Sequence, residues 1–178
     1  MKKSSRTALG GIIAALSLAL MFVVSVVPFM TYALPAVAGA ILMLISIEIN
    51  RKWAFAVFLV VSILSIITVP NKEVAVLYAA FFGYYPILKS VFESKIHFKF
   101  LEYLLKFVVF NFSIILSYFL MIRFMGIYLD EGGVFGRFVI PGFIALGNIV
   151  FFFYDIALTR VISTYLYKWR KQFKRIFK

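Results

Sequence analysis

The side chains with chemistry to offer are few, and most lie inside or beside long apolar runs. Asp155 sits more than halfway along the last run, and Arg123 in the far part of the one before it. Glu48, Lys89, Lys106 and Arg160 fall near the ends of their runs, where long stems can carry a charge out to the interface. Glu102 and Lys106 stand four apart, a spacing that pairs opposite charges on one helix face. An ionisable group within a membrane span is costly, so each is a candidate site. Two readings stand for Asp155: an ion pair with Lys106, Lys89 or Arg160, or a part in transport. Two stand for Arg123: a pair with Asp130 or Glu131 in the following loop, or a cation facing an anion in an outward pocket.

These groups do not assemble into a reaction centre. The single histidine, His97, falls in a basic polar stretch, away from any acid inside a run. There is no His-Glu-x-x-His, no pair of aspartates within the runs, no phosphate loop and no nucleotide fingerprint. The chain has no cysteine, so disulfides, thiolate metal sites and cysteine nucleophiles are excluded. The expectation is a protein that is not an enzyme, carries no cofactor or metal, and cannot bind ATP to drive a pump of its own.

Neutral polar groups complete the inventory. Asn111, Ser113, Ser117 and Tyr118 share the fifth run, Asn148 and Tyr154 the sixth, and Tyr78, Tyr84 and Tyr85 the fourth. Gly83-Tyr84-Tyr85-Pro86 predicts a helix bent in mid-membrane, and the backbone groups a bend frees suit a cavity or a packed interior. The candidate ligand-binding set is Arg123 and Tyr118 for an anionic or ring-bearing molecule, with Asn148 and Tyr84 as hydrogen-bonding neighbours.

The elements that must position these groups follow from hydropathy. The chain of 178 residues is 64% hydrophobic, and its mean hydropathy is +1.03. No soluble domain has that composition. Six runs are predicted to span a bilayer, at residues 8–27, 32–49, 53–69, 74–92, 104–128 and 139–166. Pro28 and Pro70 end the first and third, and Pro35 stands near the start of the second. The connections are too short for a separate aqueous domain, so residues 1–178 are expected to form one unit. The first run is longer than the ~7–15 residues of a secretory signal core, and it is read as a retained span.

Charge orients the runs. Lysine and arginine fill both termini, the 50–52 loop and the 93–99 loop, whereas the opposite loops hold only Lys72 and Arg137. By the positive-inside rule this predicts an all-α integral membrane protein of six transmembrane helices with both termini cytoplasmic. The net charge of +12 is thus a topology signal and an attraction to anionic lipid of the inner leaflet, not a nucleic-acid footprint. In the tail, residues 168–178, Trp169, Phe173, Ile176 and Phe177 fall on one helical face among cations, the pattern of a helix lying in the interface.

The first run also carries small residues at helical spacing. Gly11, Ala15 and Ala19 recur every fourth position, with Gly10 and Ala14 beside them. In lipid such a stripe lets another helix approach closely, either one from the same chain or one from a partner.

Taken together, these features resemble a substrate-binding subunit (S component) of energy-coupling-factor (ECF) vitamin transporters. The resemblance spans nearly the whole chain, and its most specific element is the small-residue motif of the first helix, where Gly11, Ala15 and Ala19 occupy Ala-x-x-x-Ala positions. It implies a multi-pass protein of a bacterial cell membrane that captures a vitamin or related micronutrient from outside. It further implies docking through that motif on a membrane coupling subunit joined to two ATPases, with toppling in the membrane releasing the ligand inside. One departure is plain: the family often has a longer loop that lids the site after the first helix, and here only residues 28–31 stand there. A non-catalytic membrane scaffold of the cell envelope and a small secondary transporter are the competing readings. No repeat relates the first three runs to the last three, as many secondary transporters would require.

Overall fold

A computed structural model describes residues 3–125, 133–170 and 172, and the described residues are helical apart from short turns. The helices are α1 (Lys3–Val23), α2 (Ala33–Glu48), α3 (Arg51–Thr68), α4 (Lys72–Leu77), α5 (Tyr85–Lys95), α6 (Lys99–Met125) and α7 (Gly133–Thr164). A π-helical turn, Tyr78–Phe82, joins α4 to α5 in one rod, and a second, Tyr165–Trp169, prolongs α7. Among the described residues five stretches are long and apolar enough to cross a membrane: α1, α3, the α4–α5 rod, α6 and the 144–169 part of α7 with its extension. The protein is therefore a membrane protein built of apolar helices. Helix α2 is also apolar but has 16 residues, or about 24 Å at 1.5 Å each, less than the ~30 Å hydrocarbon core.

Local sequence sets the boundaries. Helix α1 stops at Val23, short of the expected 27, and Pro28 opens a 3-10 turn, Pro28–Met30. The Asn50 side chain caps α3 by accepting the Trp53 backbone N–H at 2.8 Å, and Asn71 caps α4 by accepting that of Val74 at 3.4 Å. The Gly83–Pro86 stretch does interrupt its helix. The Gly83 N–H reaches back five residues to the Tyr78 carbonyl at 2.8 Å, and Pro86 lies in the first turn of the new helix α5.

Packing is densest among α1, α2, α3 and the α4–α5 rod. Their main apolar core runs through Leu9, Ile13, Met21, Leu42, Ile45, Val57, Phe58, Val61, Val74 and Tyr78. Glycine permits the closest approaches. A Cβ at Gly39 of α2 would overlap the Phe82 carbonyl oxygen and lie 2.8 Å from the Phe82 carbonyl carbon, so the backbone of α2 rests directly on the π-turn. A Cβ at Gly83 would come within 2.5 Å of the Phe58 ring. Helix α6 packs against that same π-turn, while the near neighbour of α7 along its length is α6.

Among the described residues the two ends of the bundle differ in charge. At one end Arg51 donates to the Ser90 carbonyl at 2.9 Å and to the Ser94 hydroxyl at 2.8 Å, and Arg170 pairs with Glu48 at 2.9 Å. Lys52, Lys95, Lys99 and Lys168 are exposed at the same end. At the other, Lys72 folds onto the Ile66 carbonyl at 2.8 Å, and the Tyr32 hydroxyl donates to Glu73 at 3.3 Å. Most of the tail, Phe173, Ile176 and Phe177 included, lies outside the described residues, as do Asp130 and Glu131; Trp169 is exposed.

Candidate functional site

Helix α6 is apolar outside and polar inside. Its exposed face carries Leu104, Val108, Phe112, Ile115 and Phe119, whereas Glu102, Lys106, Ser113 and Ser117 are buried. Those positions follow one another by four, seven and four residues, one stripe of a helix. A bilayer accepts this inversion, because lipid solvates the apolar face and the polar groups must find partners within the protein.

Glu102 and Lys106 find them in a charge cluster about 10 Å in from the basic end, Ser113 finds the Tyr84 hydroxyl, and Ser117 turns back on the Ser113 carbonyl. Lys89 of α5 and Lys106 of α6 are 0% and 1% exposed. The Lys89 ammonium lies 2.6 Å from Asp155 Oδ1 of α7 and 2.7 Å from Glu93 Oε1 one turn along its own helix. The Lys106 ammonium lies 2.9 Å from Glu102 Oε1, 3.0 Å from Glu93 Oε1 and 3.1 Å from Asp155 Oδ2. Lys99 closes the other side of Glu102 at 3.0 Å, and the Tyr85 hydroxyl donates to Asp155 Oδ1 at 2.6 Å. The formal charges of three lysines and three carboxylates cancel. The three protons of Lys106 match three carboxylates, and both oxygens of Asp155 accept. Among the described residues no group of histidine or acidic side chains is placed to hold a metal ion; the three carboxylates converge on ammonium groups instead.

The ring system beside the cluster fixes its depth. Phe151, one turn before Asp155, stacks on Phe110 with centroids 4.5 Å apart and meets Tyr85 and Phe107 edge-on, each at 5.2 Å. Tyr85 in turn stacks on Phe81 of the π-turn at 4.8 Å. These contacts hold Tyr85 so that its hydroxyl meets the carboxylate. The wider i-to-i+5 spacing of the π-turn sets the rotation of α5 relative to α4 and thereby aims Tyr85 and Lys89 at α7.

Several expectations are refined here. Asp155 does pair with Lys89 and Lys106, while Arg160 is exposed one and a half turns beyond. Glu102 and Lys106 do pair within α6. The reading of Lys89 and Lys106 as side chains that reach the interface is corrected: carboxylates of neighbouring helices meet their ammonium groups in the interior before water does. Glu48 likewise ends in an ion pair, with Arg170.

The proposed ligand set is distributed along the upper part of α6, α7 and the rod. The Tyr84 hydroxyl bonds the Ser113 hydroxyl at 2.5 Å. Asn148 and Asn111 exchange side-chain amide bonds at 2.9 and 3.1 Å, clasping α7 to α6. Tyr118 is 39% exposed, and Arg123 is exposed near the end of α6. Hydrogen bonds among the described residues thus engage Tyr84 and Asn148 in separate pairs and do not join the four into one group. The sequence reading passed over Glu93, partly exposed at the rim of the cluster, and over Tyr85 as the anchor of Asp155. Both were legible as polar groups at helical spacing from Lys89.

On α1 the two small-residue rows part company. Leu9, Gly10, Ile13, Ser17 and Met21 are buried against the chain's own helices, and a Cβ on Gly10 would touch Val57 at 3.3 Å. Gly11, Ala15 and Ala19 are exposed together with Ile12 and Leu16, and a Cβ on Gly11 would meet nothing within 4 Å. Comparison with protein-family models, with curated proteins and with solved structures finds no match for this chain.

Proposed function

We propose that this protein is the substrate-capture subunit of an ECF-type micronutrient importer, a multi-pass protein of the bacterial cell membrane with six spans and both termini in the cytoplasm. It binds a small molecule from outside and docks through α1 on a membrane coupling subunit that carries two ATPases. One observation carries the reading: among the described residues the stripe Gly11, Ala15 and Ala19 is exposed, with open space over Gly11, which suits the close approach of another helix. Arg123 and Tyr118, exposed in the outer part of α6, are the side chains assigned to the ligand, with Tyr84 and Asn148 beneath them.

Co-expression with a coupling subunit and its ATPases tests the docking. The wild type is expected to co-purify with them, and Ala15→Leu is expected not to. Binding of radiolabelled vitamins to the isolated protein tests the site, and Arg123→Ala is expected to lower affinity at least tenfold while the chain stays folded. Unchanged affinity removes Arg123 from the site.

A second reading, a non-catalytic membrane scaffold, is favoured by a different observation: the hydrogen-bonding groups of Tyr84 and Asn148 are already engaged within the chain, by Ser113 and Asn111. A scaffold would bind no vitamin at any concentration tested yet would still need the α1 face.

A further inference from the structure

We infer that the outward face of α7 near the basic end is a site for the phosphate of an anionic phospholipid, held by Arg160 and Lys168. The inference rests on neither the docking face nor a captured ligand, only on this part of the chain lying in a membrane. Arg160 is exposed within the apolar stretch 144–169, one and a half turns beyond Asp155. A guanidinium keeps its charge in any surroundings, and on a lipid-facing helix it must be met by an acceptor. The chain has no carboxylate left to offer. Glu93, Glu102 and Asp155 are taken by Lys89, Lys99 and Lys106, and Glu48 by Arg170. Glu73 accepts from Tyr32 at the opposite end, and Asp130 and Glu131 stand in sequence just ahead of Gly133, where α7 begins. No acidic side chain follows in residues 171–178. Arg160 accordingly has no hydrogen-bond or ion-pair partner among the described residues, whereas Arg51 and Arg170 at the same end both do.

Local geometry gives Arg160 a companion. In an unbroken α-helix Lys168, eight residues on, would stand about 80° around the axis from Arg160. The π-helical turn Tyr165–Trp169 takes up one extra residue and turns Lys168 back to within about 20° of the Arg160 line. The same turn stacks Arg170 over Tyr165, whose carbonyl accepts the Arg170 backbone N–H, and so sends the Arg170 side chain to Glu48 on the inner face. Thr164 is exposed between the two cations. The hydroxyls of Thr7, Thr31, Thr68 and Thr159 each bond a backbone carbonyl, whereas that of Thr164 bonds nothing among the described residues. Two cations and an unengaged hydroxyl thus line one strip, a set that matches phosphate oxygens. The flanks name the source of the phosphate. Ile156, Val161 and Leu166 are exposed beside the strip and suit acyl chains, and exposed Tyr167 and Trp169 mark the headgroup level. A free anion would have to enter hydrocarbon to reach Arg160.

Native mass spectrometry of the full chain, released from detergent with phosphatidylglycerol or phosphatidylcholine added, tests the site. The wild type is expected to retain phosphatidylglycerol in preference to phosphatidylcholine. Arg160→Ala and Lys168→Ala are each expected to weaken phosphatidylglycerol binding roughly fivefold, the contribution of one cation beside an anionic lipid, at unchanged thermal midpoint. Lys52→Ala and Lys95→Ala, exposed at the same end on other helices, are expected to leave it unchanged. All four side chains are exposed, so their removal displaces no core. Equal losses in the four variants would make the binding a diffuse property of the basic end and overturn the site, and so would undiminished binding by Arg160→Ala. Displacement of the lipid by inorganic phosphate would overturn the lipid assignment in favour of a free anion.

Discussion

The α1–α3 bundle with the α4–α5 rod and the α6–α7 pair solve the same problem by opposite means. Lipid offers no hydrophobic force to press helices together, so contact must come from fit or from polar attraction. The first region uses fit. Its helices close over glycine, with Gly39 on the Phe82 backbone, Gly83 under the Phe58 ring and Gly10 against Val57. The second region uses attraction. Among the described side chains no apolar residue of α6 is fully buried, and the helix is held by Glu102, Lys106, Asn111 and Ser113. Fit spreads its contribution over many small contacts and fails when one atom is added. Attraction concentrates it in a few groups and fails when one charge is removed.

The largest effect expected from breaking this contrast is at Gly39. Gly39→Ala adds a methyl where the neighbour is backbone, at the Phe82 carbonyl, so no side chain can swing aside. Because the clash is with backbone, the cost should exceed the ~1–3 kcal/mol typical of overpacking and be at least that of removing a buried charge. Loss of a monodisperse peak in detergent, or a large fall in thermal midpoint, checks it. The same substitution at Gly11, where nothing lies within 4 Å, should leave both unchanged.

Next comes the charge cluster. Asp155→Asn leaves Lys89 and Lys106 short of a counter-charge and should cost about 3–5 kcal/mol, as breaking a buried pair does. Replacing two partners together, Lys89→Met with Asp155→Leu, should cost less than the sum of the single changes, because no orphaned charge remains between them. A strictly additive pair, measured by thermal or denaturant unfolding in micelles, would place the cluster's contribution in packing instead of charge.

How much of this was legible follows the same divide. Hydropathy and proline act locally, so the runs, the caps and the break at Gly83–Pro86 could be read along the chain. Fit and attraction between helices are long-range. Lys89 and Asp155 are 66 residues apart, and the rule that long cations reach for the interface considers depth along one helix only, blind to a carboxylate arriving from another. Gly39 looked like any glycine in a membrane helix, since its importance lies in which backbone it meets. Gly10 and Gly11 are adjacent and chemically identical, and only the assembled bundle decides that one faces Val57 and the other faces out. Arg123 was singled out by type and depth; the acidic loop weighed as its partner lies outside the described residues.

The Asn111–Asn148 clasp should matter less than the charges below it. Interhelical amide bonds in membrane proteins average about 0.6 kcal/mol and reach about 1.7 at most, because the separated helices also find partners. Asn148→Leu should therefore lower the thermal midpoint only slightly. A loss as great as that of Asp155→Asn would mean that the amide pair, not the cluster, is what holds α7.

The smallest expected effect on stability is the most telling about purpose. Gly11→Leu and Ala15→Leu add side chains to a face that is exposed among the described residues, and in lipid a leucine there is as well solvated as on any outer face. Stability should stay within about 0.5 kcal/mol, the range of ordinary surface changes. Glycine and alanine are thus not required at these positions by the fold, whereas at Gly39 and Gly83 small size is required by neighbouring atoms within the molecule. Loss of co-purification with the coupling subunit in these two variants, at unchanged thermal midpoint, would assign the stripe to intermolecular contact. Retained association in both would move the docking surface elsewhere and leave the outward stripe as lipid-facing helix.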